Sequence, residues 1–154
     1  SLVSGNMEVN SVNSLAEMHA LGALIGKELT AGDLLLISGP LGAGKTALTQ
    51  GIGQALGIEN ITSPTFVISR IHPGKIPLVH VDAYRLQGDS TAIFDDLDLE
   101  SYLPTSITVV EWGEGLADRL ADQYLEIKIE FGESDDQRLV SIFGHGQRFT
   151  GFKL

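Results

Sequence analysis

One segment of the chain, residues 39–46, has the composition of a phosphate-binding loop. It reads Gly-Pro-Leu-Gly-Ala-Gly-Lys-Thr and fits the pattern G-x-x-x-x-G-K-[ST] at every fixed position. Glycines let the backbone bend so that its N–H groups converge on a phosphate chain. The ammonium of Lys45 can reach the β- and γ-phosphates, and the hydroxyl of Thr46 can ligate Mg²⁺. The segment therefore predicts a site for a nucleoside triphosphate.

The residues on either side of this loop favour the same prediction. Residues 34–37 are an apolar run suited to a buried strand. Residues 47–56 place apolar side chains at near-helical spacing, so a helix is predicted to begin where the loop ends. The partial positive charge of its N-terminus would lie under the phosphates. A glycine-rich turn that matched the pattern by chance would not need this strand–loop–helix order, and we therefore favour the phosphate site.

Two acidic residues stand where apolar runs end. Asp82 follows residues 79–81, and Glu111 follows residues 107–110. In open α/β sheets, ligands bind beyond the carboxyl ends of the strands. Enzymes with a phosphate-binding loop also need a carboxylate near the Mg²⁺ and a polar group that orients the attacking water. We therefore expect Asp82 and Glu111 to serve the site, and a solvated acid at a strand end is the alternative for each.

Three further residues have more than one interpretation. Thr65 lies in a turn-prone segment and could sense Mg²⁺ and the γ-phosphate, as loop threonines do in nucleotide switches, although a plain turn fits these residues slightly better. Trp112 is the single tryptophan, and it could pack in the core or cover the site. His80 lies inside an apolar strand, and we interpret it as a core histidine with a hydrogen-bond partner rather than as a metal ligand.

The remaining pattern predicts the fold class. A capping box at residues 14–17 begins an amphipathic helix. Residues 124–131 and 138–143 alternate polar and apolar side chains, which predicts a hairpin. We therefore predict an α/β protein, namely a three-layer P-loop NTPase-like domain with a largely parallel central sheet and antiparallel strands added at its edge.

Length and composition set the broad class of protein. A chain of 154 residues is the usual size of one domain, which we place at residues 7–146. Residues 1–6 are expected to be a tag remnant or flexible leader, and residues 147–154 a tail. The net charge is −10 and the basic residues are scattered, so we expect no direct DNA binding and no independent grip on RNA. Apolar runs are too short to cross a bilayer, and we expect a cytoplasmic protein without membrane contact.

Four segments taken together resemble one known family. They are the loop at residues 39–46, the Thr-Ser-Pro-Thr-Phe run at residues 62–66, the His-x-Asp-x-Tyr-Arg run at residues 80–85, and the Glu-Trp pair at residues 111–112. Their order and spacing are similar to those of the TsaE (YjeE) family over nearly the whole chain. The loop is shared by many families, whereas the combination of the other three is specific.

This resemblance implies an activity and partners. Proteins of the TsaE family are small bacterial P-loop ATPases that use ATP and Mg²⁺. They take part in making N6-threonylcarbamoyladenosine at position 37 of tRNA, together with the TsaD and TsaB proteins. An acidic ATPase in this system need not hold the tRNA itself, which agrees with the net charge. ATP hydrolysis that is slow alone and stimulated by the partners is the expectation.

The resemblance also implies roles for single residues. Lys45 would bind phosphates, Thr46, Glu111 and Asp82 would surround the Mg²⁺, and Thr65 would lie in a switch-like loop. The start of the first helix, around Ser14 and Leu15, would lie near the adenine, and Arg138 near the nucleotide. The nucleotide contacts implied in this way are Gly39, Leu41, Gly42, Ala43, Gly44, Lys45, Thr46, Ala47, Leu15, Trp112, Glu114 and Arg138.

Three other functions are consistent with a phosphate-binding loop. A GTPase normally carries an N-K-x-D segment, which this sequence lacks. A small-molecule kinase usually has a lid with several arginines, and the five arginines here are scattered. A nucleotide-gated binding protein, in which ATP sets the conformation of a partner-binding face and hydrolysis only resets it, overlaps with the ATPase prediction.

Overall fold

The computed structural model describes residues 7–62, 69–83, 99–111 and 121–154. The strands in these ranges are β1 (Met7–Val12), β2 (Leu34–Ser38), β3 (Ser69–His72), β4 (Leu78–Asp82), β5 (Ile107–Glu111), β6 (Tyr124–Phe131) and β7 (Arg138–His145). The helices are α1 (Leu15–Lys27), α2 (Lys45–Ala55) and the single turn α3 (Leu99–Tyr102), with 3₁₀ turns at Leu103–Thr105 and Gln147–Phe149.

The described strands form a seven-stranded sheet in the order β1-β7-β6-β2-β5-β4-β3. Four neighbours, β6, β2, β5 and β4, run parallel to one another. Antiparallel strands extend both edges, because β7 pairs with β6, β1 with β7, and β3 with β4. The predicted α/β class, with a parallel centre and antiparallel additions, is confirmed. The predicted hairpin of β6 and β7 is also confirmed, and β7 extends two residues beyond the expected end.

The register of the parallel strands separates two faces of the sheet. Ile37 pairs with both Glu111 and Ile127, and Glu111 pairs with Asp82, so these four side chains share one face. The same face carries the larger apolar core, which includes Ile25 of α1 and other buried residues of α1 and α2. The opposite face packs against residues of and after α3. Coverage on both faces explains why the parallel strands are almost continuously apolar.

The two long helices cross each other at glycines. A Cβ atom on Gly22 of α1 would collide with the carbonyl oxygen of Leu48, and one on Gly51 of α2 would collide with the carbonyl oxygen of His19. The backbones of α1 and α2 are therefore in direct contact. This crossing holds the start of α1 beside the start of α2, where the phosphate-binding loop ends.

Helix α1 begins close to the predicted position. The amide of Glu17 donates to the Ser14 hydroxyl at 3.1 Å, as a capping box requires. The Glu17 carboxylate accepts from the amide of Asn13 at 3.0 Å, one residue earlier than the Ser14 amide that a capping box would use. The cap thus also fixes the turn between β1 and α1.

The C-terminal residues pack against the sheet domain. Phe149 is 1% exposed and belongs to the larger core. The guanidinium of Arg148 binds the Asp33 carboxylate through Nε at 3.2 Å and Nη2 at 3.0 Å. This packing could not be predicted from the sequence, because it depends on single residues and not on a repeating pattern of polar and apolar side chains. None of the described helices is long and apolar enough to span a bilayer.

Candidate functional site

The loop at residues 39–46 connects the end of β2 to the start of α2, as the sequence predicts. The amide of Ala43 donates to the carbonyl of Pro40 at 3.1 Å, which closes a turn within the loop. Gly44 caps the helix with a φ of 111°, a left-handed conformation that favours glycine. The amide of Leu48 then donates to the carbonyl of Gly44 at 2.9 Å. This geometry leads the chain from a buried strand directly into a helix N-terminus.

Lys45, the first residue of α2, reaches back across the loop. Its side-chain Nζ donates to the carbonyl of Gly39 at 2.7 Å and to that of Pro40 at 3.1 Å. The residue is only 8% exposed. Burial lowers the pKa of the Lys45 ammonium, while the nearby carboxylates of Glu111 and Asp82 oppose that shift. The structure therefore brings one cation and two anions together at the mouth of the loop.

The two carboxylates come from adjacent parallel strands. Asp82 ends β4 and Glu111 ends β5, and the two residues are register partners. Glu111 is also the register partner of Ile37, the residue before the end of β2. Both acids thus lie at the carboxyl edge of the sheet, on the face that packs α2. The placement is the one expected for acids that follow apolar runs.

A buried histidine contacts one of these acids. The Nε2 atom of His80 lies 3.0 Å from Oε1 of Glu111, and His80 is fully buried. An ionised carboxylate can only accept, so Nε2 is the nitrogen that carries the proton in this contact. The sequence predicts a core histidine with a partner, and the partner in the structure is a proposed site residue. The clue in the sequence was the two-residue spacing between His80 and Asp82, which puts both on one strand face.

A cavity of about 210 Å³ opens beside the loop. Its lining comes from three elements that are distant in sequence: the start of α1, the loop with the start of α2, and the β6–β7 turn with the start of β7. The lining residues are Ser14, Leu15, Met18, Gly42, Ala43, Gly44, Ala47, Asp136 and Arg138. Leu15 and Arg138, which the sequence assigns to the nucleotide by resemblance, therefore lie on the same cavity as the loop glycines.

Arg138 is held by its own hairpin. Its Nη1 donates to the carbonyls of Asp135 at 2.6 Å and Gln137 at 2.9 Å. The guanidinium lies over the ring of Phe131, 4.7 Å from the centroid. These contacts fix the arginine at the wall of the cavity.

Other proposed nucleotide contacts are placed differently or lie outside the described residues. Leu41 is 93% exposed and is absent from the cavity lining, so only its backbone can serve a bound phosphate there. Gly39 lies against the carbonyl of Ile129 on β6. The remaining three, Thr65, Trp112 and Glu114, lie outside the part of the chain that the structure describes.

Sequence reasoning missed two residues of the cavity. Met18 lies one turn after Ser14 on α1, and its side chain also approaches Gly44. Helical spacing could have placed it beside Leu15. Asp136 lies in the hairpin turn, and only knowledge of the β6–β7 pairing puts that turn next to the loop.

The donors near the loop suit magnesium. Thr46, Asp82 and Glu111 offer a hydroxyl and two carboxylates, and Mg²⁺ prefers such oxygen ligands. Within the described residues, no group of three or more histidines and acids could hold a metal ion unaided. Mg²⁺ is usually bound through one or two carboxylates, with substrate phosphates and water completing the shell. The residues present therefore fit a cation that arrives with a phosphorylated ligand.

The strand, the loop, the helix and the two acids at neighbouring strand ends define a P-loop NTPase-like domain. Residues 12–140 match the model of the family described as "Threonylcarbamoyl adenosine biosynthesis protein TsaE". This match covers most of the chain, and the chain belongs to the TsaE family.

Individual relatives agree with this assignment. The chain is 48% identical over 140 residues to the tRNA threonylcarbamoyladenosine biosynthesis protein TsaE of Streptomyces coelicolor, covering 86% of this chain and 94% of that one. It is 35% identical over 136 residues to the protein of that name from Bacillus subtilis, covering 86% and 83%. The crystal structure of YdiB from B. subtilis superposes with a TM-score of 0.77 at 30% identity, covering 93% of this chain and 88% of that one.

Proposed function

We propose that this chain binds ATP with Mg²⁺ at the loop and hydrolyses it in support of threonylcarbamoyladenosine formation on tRNA. One observation carries the proposal. The phosphate-binding loop opens at the same sheet edge, and on the same face, as the register-paired carboxylates of Asp82 and Glu111. Family membership supplies the pathway, since the family and its curated relatives carry the name of this modification.

Different residues of the chain would bind the phosphates, hold Mg²⁺ and orient the attacking water. The backbone N–H groups of the loop, apart from Pro40, which has none, would bind phosphate oxygens, and the Lys45 ammonium would move from its own loop carbonyls to the β- and γ-phosphates. Thr46, Glu111 and Asp82 would hold Mg²⁺, which when bound neutralises charge that develops on the phosphates. Of the two carboxylates, Asp82 is the more exposed and the better placed to orient a water molecule. The α2 N-terminus stabilises the same charge.

The cavity beside the loop would take the adenosine part of ATP. Its volume of about 210 Å³ suits one nucleobase with part of its ribose, and its walls are mainly small or apolar. Leu15 and Met18 provide an apolar surface on the α1 side, and Arg138 provides a cationic group on the hairpin side.

We expect this activity to be slow without partners. Arg138 is bound to carbonyls of its hairpin and Arg148 is paired with Asp33, so neither is free to act on a γ-phosphate. An arginine or another cation supplied by a partner would accelerate hydrolysis. We propose TsaD and TsaB as these partners, from the resemblance noted above. With a net charge of −10 the chain would meet tRNA indirectly through them, in the cytoplasm where tRNA is modified.

The direct test is ATP binding followed by reconstitution. Titration calorimetry of the wild-type chain with Mg²⁺ and ATP should give one site, and Lys45→Ala should weaken binding about 10- to 100-fold. Lys153→Ala, an exposed lysine near the C-terminus, is the matched control and should bind normally. A wild-type chain that is folded and binds no ATP would contradict the proposal.

Three further outcomes separate the alternatives. Tighter binding of GTP than of ATP would indicate a GTPase. ADP formation that requires a metabolite acceptor would indicate a kinase. In a reconstituted modification assay, a Glu111→Gln variant that binds ATP, hydrolyses none and still supports the modification would favour a nucleotide-gated binding protein over an ATP-driven cycle.

A further inference from the structure

We propose that His80 is a positioning residue for Glu111. Its imidazole holds one carboxylate oxygen of Glu111, and so leaves the other oxygen with a fixed direction at the edge of the sheet. This inference rests on the proposed function, because it gives a role to a residue that acts through a proposed magnesium ligand. Its test is therefore chosen so that the two can fail separately.

The first support is geometric. His80 and Glu111 lie on adjacent parallel strands and on one face, where His80 pairs in register with Val109 and Asp82 pairs with Glu111. The imidazole therefore reaches Glu111 diagonally, along the strand direction, and meets Oε1 at 3.0 Å. A contact from this direction leaves the position of Glu111 fixed relative to both β4 and β5.

The second support is the hydrogen-bonding of the imidazole itself. In the part of the chain that the structure describes, the contact with Glu111 is the one side-chain hydrogen bond of His80, and Nδ1 is buried without a partner. Among the described residues, the ring therefore makes its hydrogen bond with the proposed site residue and not with the backbone of a neighbouring strand. In this contact the N–H of Nε2 is the donor of the ring, and it is directed at Glu111.

The third support is the cost of a histidine at this position. The neighbours Val79 and Val81 are fully buried, and an aliphatic side chain at position 80 would pack in the strand without a desolvated nitrogen. The bond to Glu111 is what offsets that cost. The same bond restricts the side chain of Glu111 more than that of His80. Glu111 has three rotatable side-chain bonds, and its buried carboxylate needs a donor to stay in one rotamer. Groups that orient a metal-binding side chain typically change metal affinity or activity about 10- to 100-fold.

The experiment compares three substitutions at one position. The amide nitrogen of glutamine reaches approximately where Nε2 of histidine lies, whereas the amide of asparagine reaches only as far as Nδ1. We expect His80→Leu and His80→Asn to raise the Mg²⁺ concentration needed for tight ATP binding about 10-fold or more. His80→Gln should restore it to within about 3-fold of wild type. Calorimetric titration at several Mg²⁺ concentrations measures this without relying on turnover.

A double-mutant cycle shows whether His80 acts through Glu111. Glu111→Gln alone should change the Mg²⁺ concentration needed for tight ATP binding. Adding His80→Leu to that variant should change this concentration little further. Independent, additive effects of the two substitutions would overturn the inference. His72→Gln is the control, because this second buried histidine lies on β3 beside Leu78, at the far end of the strand, and should leave the Mg²⁺ dependence unchanged.

The possible failures are distinguishable. If the wild-type chain binds no Mg²⁺-ATP, the proposed function is wrong. If it binds and His80→Leu is folded with an unchanged Mg²⁺ dependence, the role of His80 is wrong while the function stands. Should His80→Leu fail to fold, the comparison of His80→Gln with His80→Asn decides, since equal Mg²⁺ dependence in that pair would also overturn the inference.

Discussion

Asp82 and Glu111 end two adjacent parallel strands as register partners, so their backbones lie about one strand spacing apart and both carboxylates lie at one edge of the sheet. Like charges so placed repel each other, and the ammonium of Lys45 offsets this only in part because burial disfavours its charged form. A divalent cation held between the two carboxylates would add a second positive charge beside Lys45, which links cation binding to stability.

The two acids give the first prediction. Asp82→Asn and Glu111→Gln should each lower ATP hydrolysis at least about 100-fold, measured as phosphate release. The free Glu111→Gln protein should be about as stable as wild type, because repulsion between the two acids falls and the amide that replaces the carboxylate keeps an acceptor for His80. Urea unfolding without nucleotide measures this second part. A large loss of stability in Glu111→Gln would show that the Glu111 carboxylate is chiefly a structural partner of Lys45 and His80.

The crossing of α1 and α2 gives the second prediction. On an open helix surface, replacing glycine by alanine stabilises by about 0.5–1 kcal/mol. At Gly22 and Gly51 the added methyl group would meet backbone carbonyls, which cannot rotate away. We expect Gly22→Ala and Gly51→Ala to destabilise the protein by about 1–3 kcal/mol in denaturant unfolding. Gln54→Ala, on the exposed side of α2, is the control and should be nearly neutral.

The contacts of Arg148 with Asp33 and Glu28, which we call the C-terminal clamp, give the third prediction. Arg148 binds both carboxylate oxygens of Asp33 and also donates to the carbonyl of Glu28 at 3.0 Å. Arg148→Met removes these donors and leaves a nearly buried carboxylate that keeps, among the described residues, the amide of Thr30 as its donor. A loss of about 1–3 kcal/mol is expected in thermal or urea unfolding. Lys153→Met should have little effect, and an equal loss in that control would argue against the clamp.

His72 gives a prediction for pH. Burial, with smaller contributions from His80 and Arg70, lowers its pKa below the usual 6.5. Since the unfolded chain then binds the proton more tightly than the native one, this residue makes stability fall as the pH drops below 6.5.

Urea midpoints at about pH 8 and about pH 5.5 measure that effect. His72→Leu should lose less stability than wild type between these two conditions. The same loss in both proteins would show that other groups dominate the acid response. At about pH 8 both proteins carry a neutral side chain here, so the activity assays above are best done there.

Much of the fold could be predicted because its signals are local. The apolar run of β2 followed by Lys45 and a helical pattern fixes strand, loop and helix within a short window, and the alternation in β6 and β7 fixes the hairpin. The positions of Asp82 and Glu111 could be predicted because an acid directly after a buried parallel strand lies at the carboxyl edge of the sheet.

Contacts that depend on register or on distant segments could not be predicted. The pairing of His80 with Glu111 requires the alignment of β4 with β5, which neither strand encodes by itself. Asp136 reaches the cavity only because β6 pairs with β2 and turns back into β7. The pairing of Arg148 depends on Asp33, a residue more than one hundred positions earlier.

The glycine crossing also determines which side of the cavity can adjust. Because the helices touch through their main chains, the α1 wall with Leu15 and the α2 start with Lys45 move as one body. Any widening to admit a bulkier base must come from the hairpin wall, where Arg138 would have to give up its two hydrogen bonds to the hairpin carbonyls. Efforts to change which nucleotide is accepted should therefore alter the turn before β7 and leave the helix pair untouched.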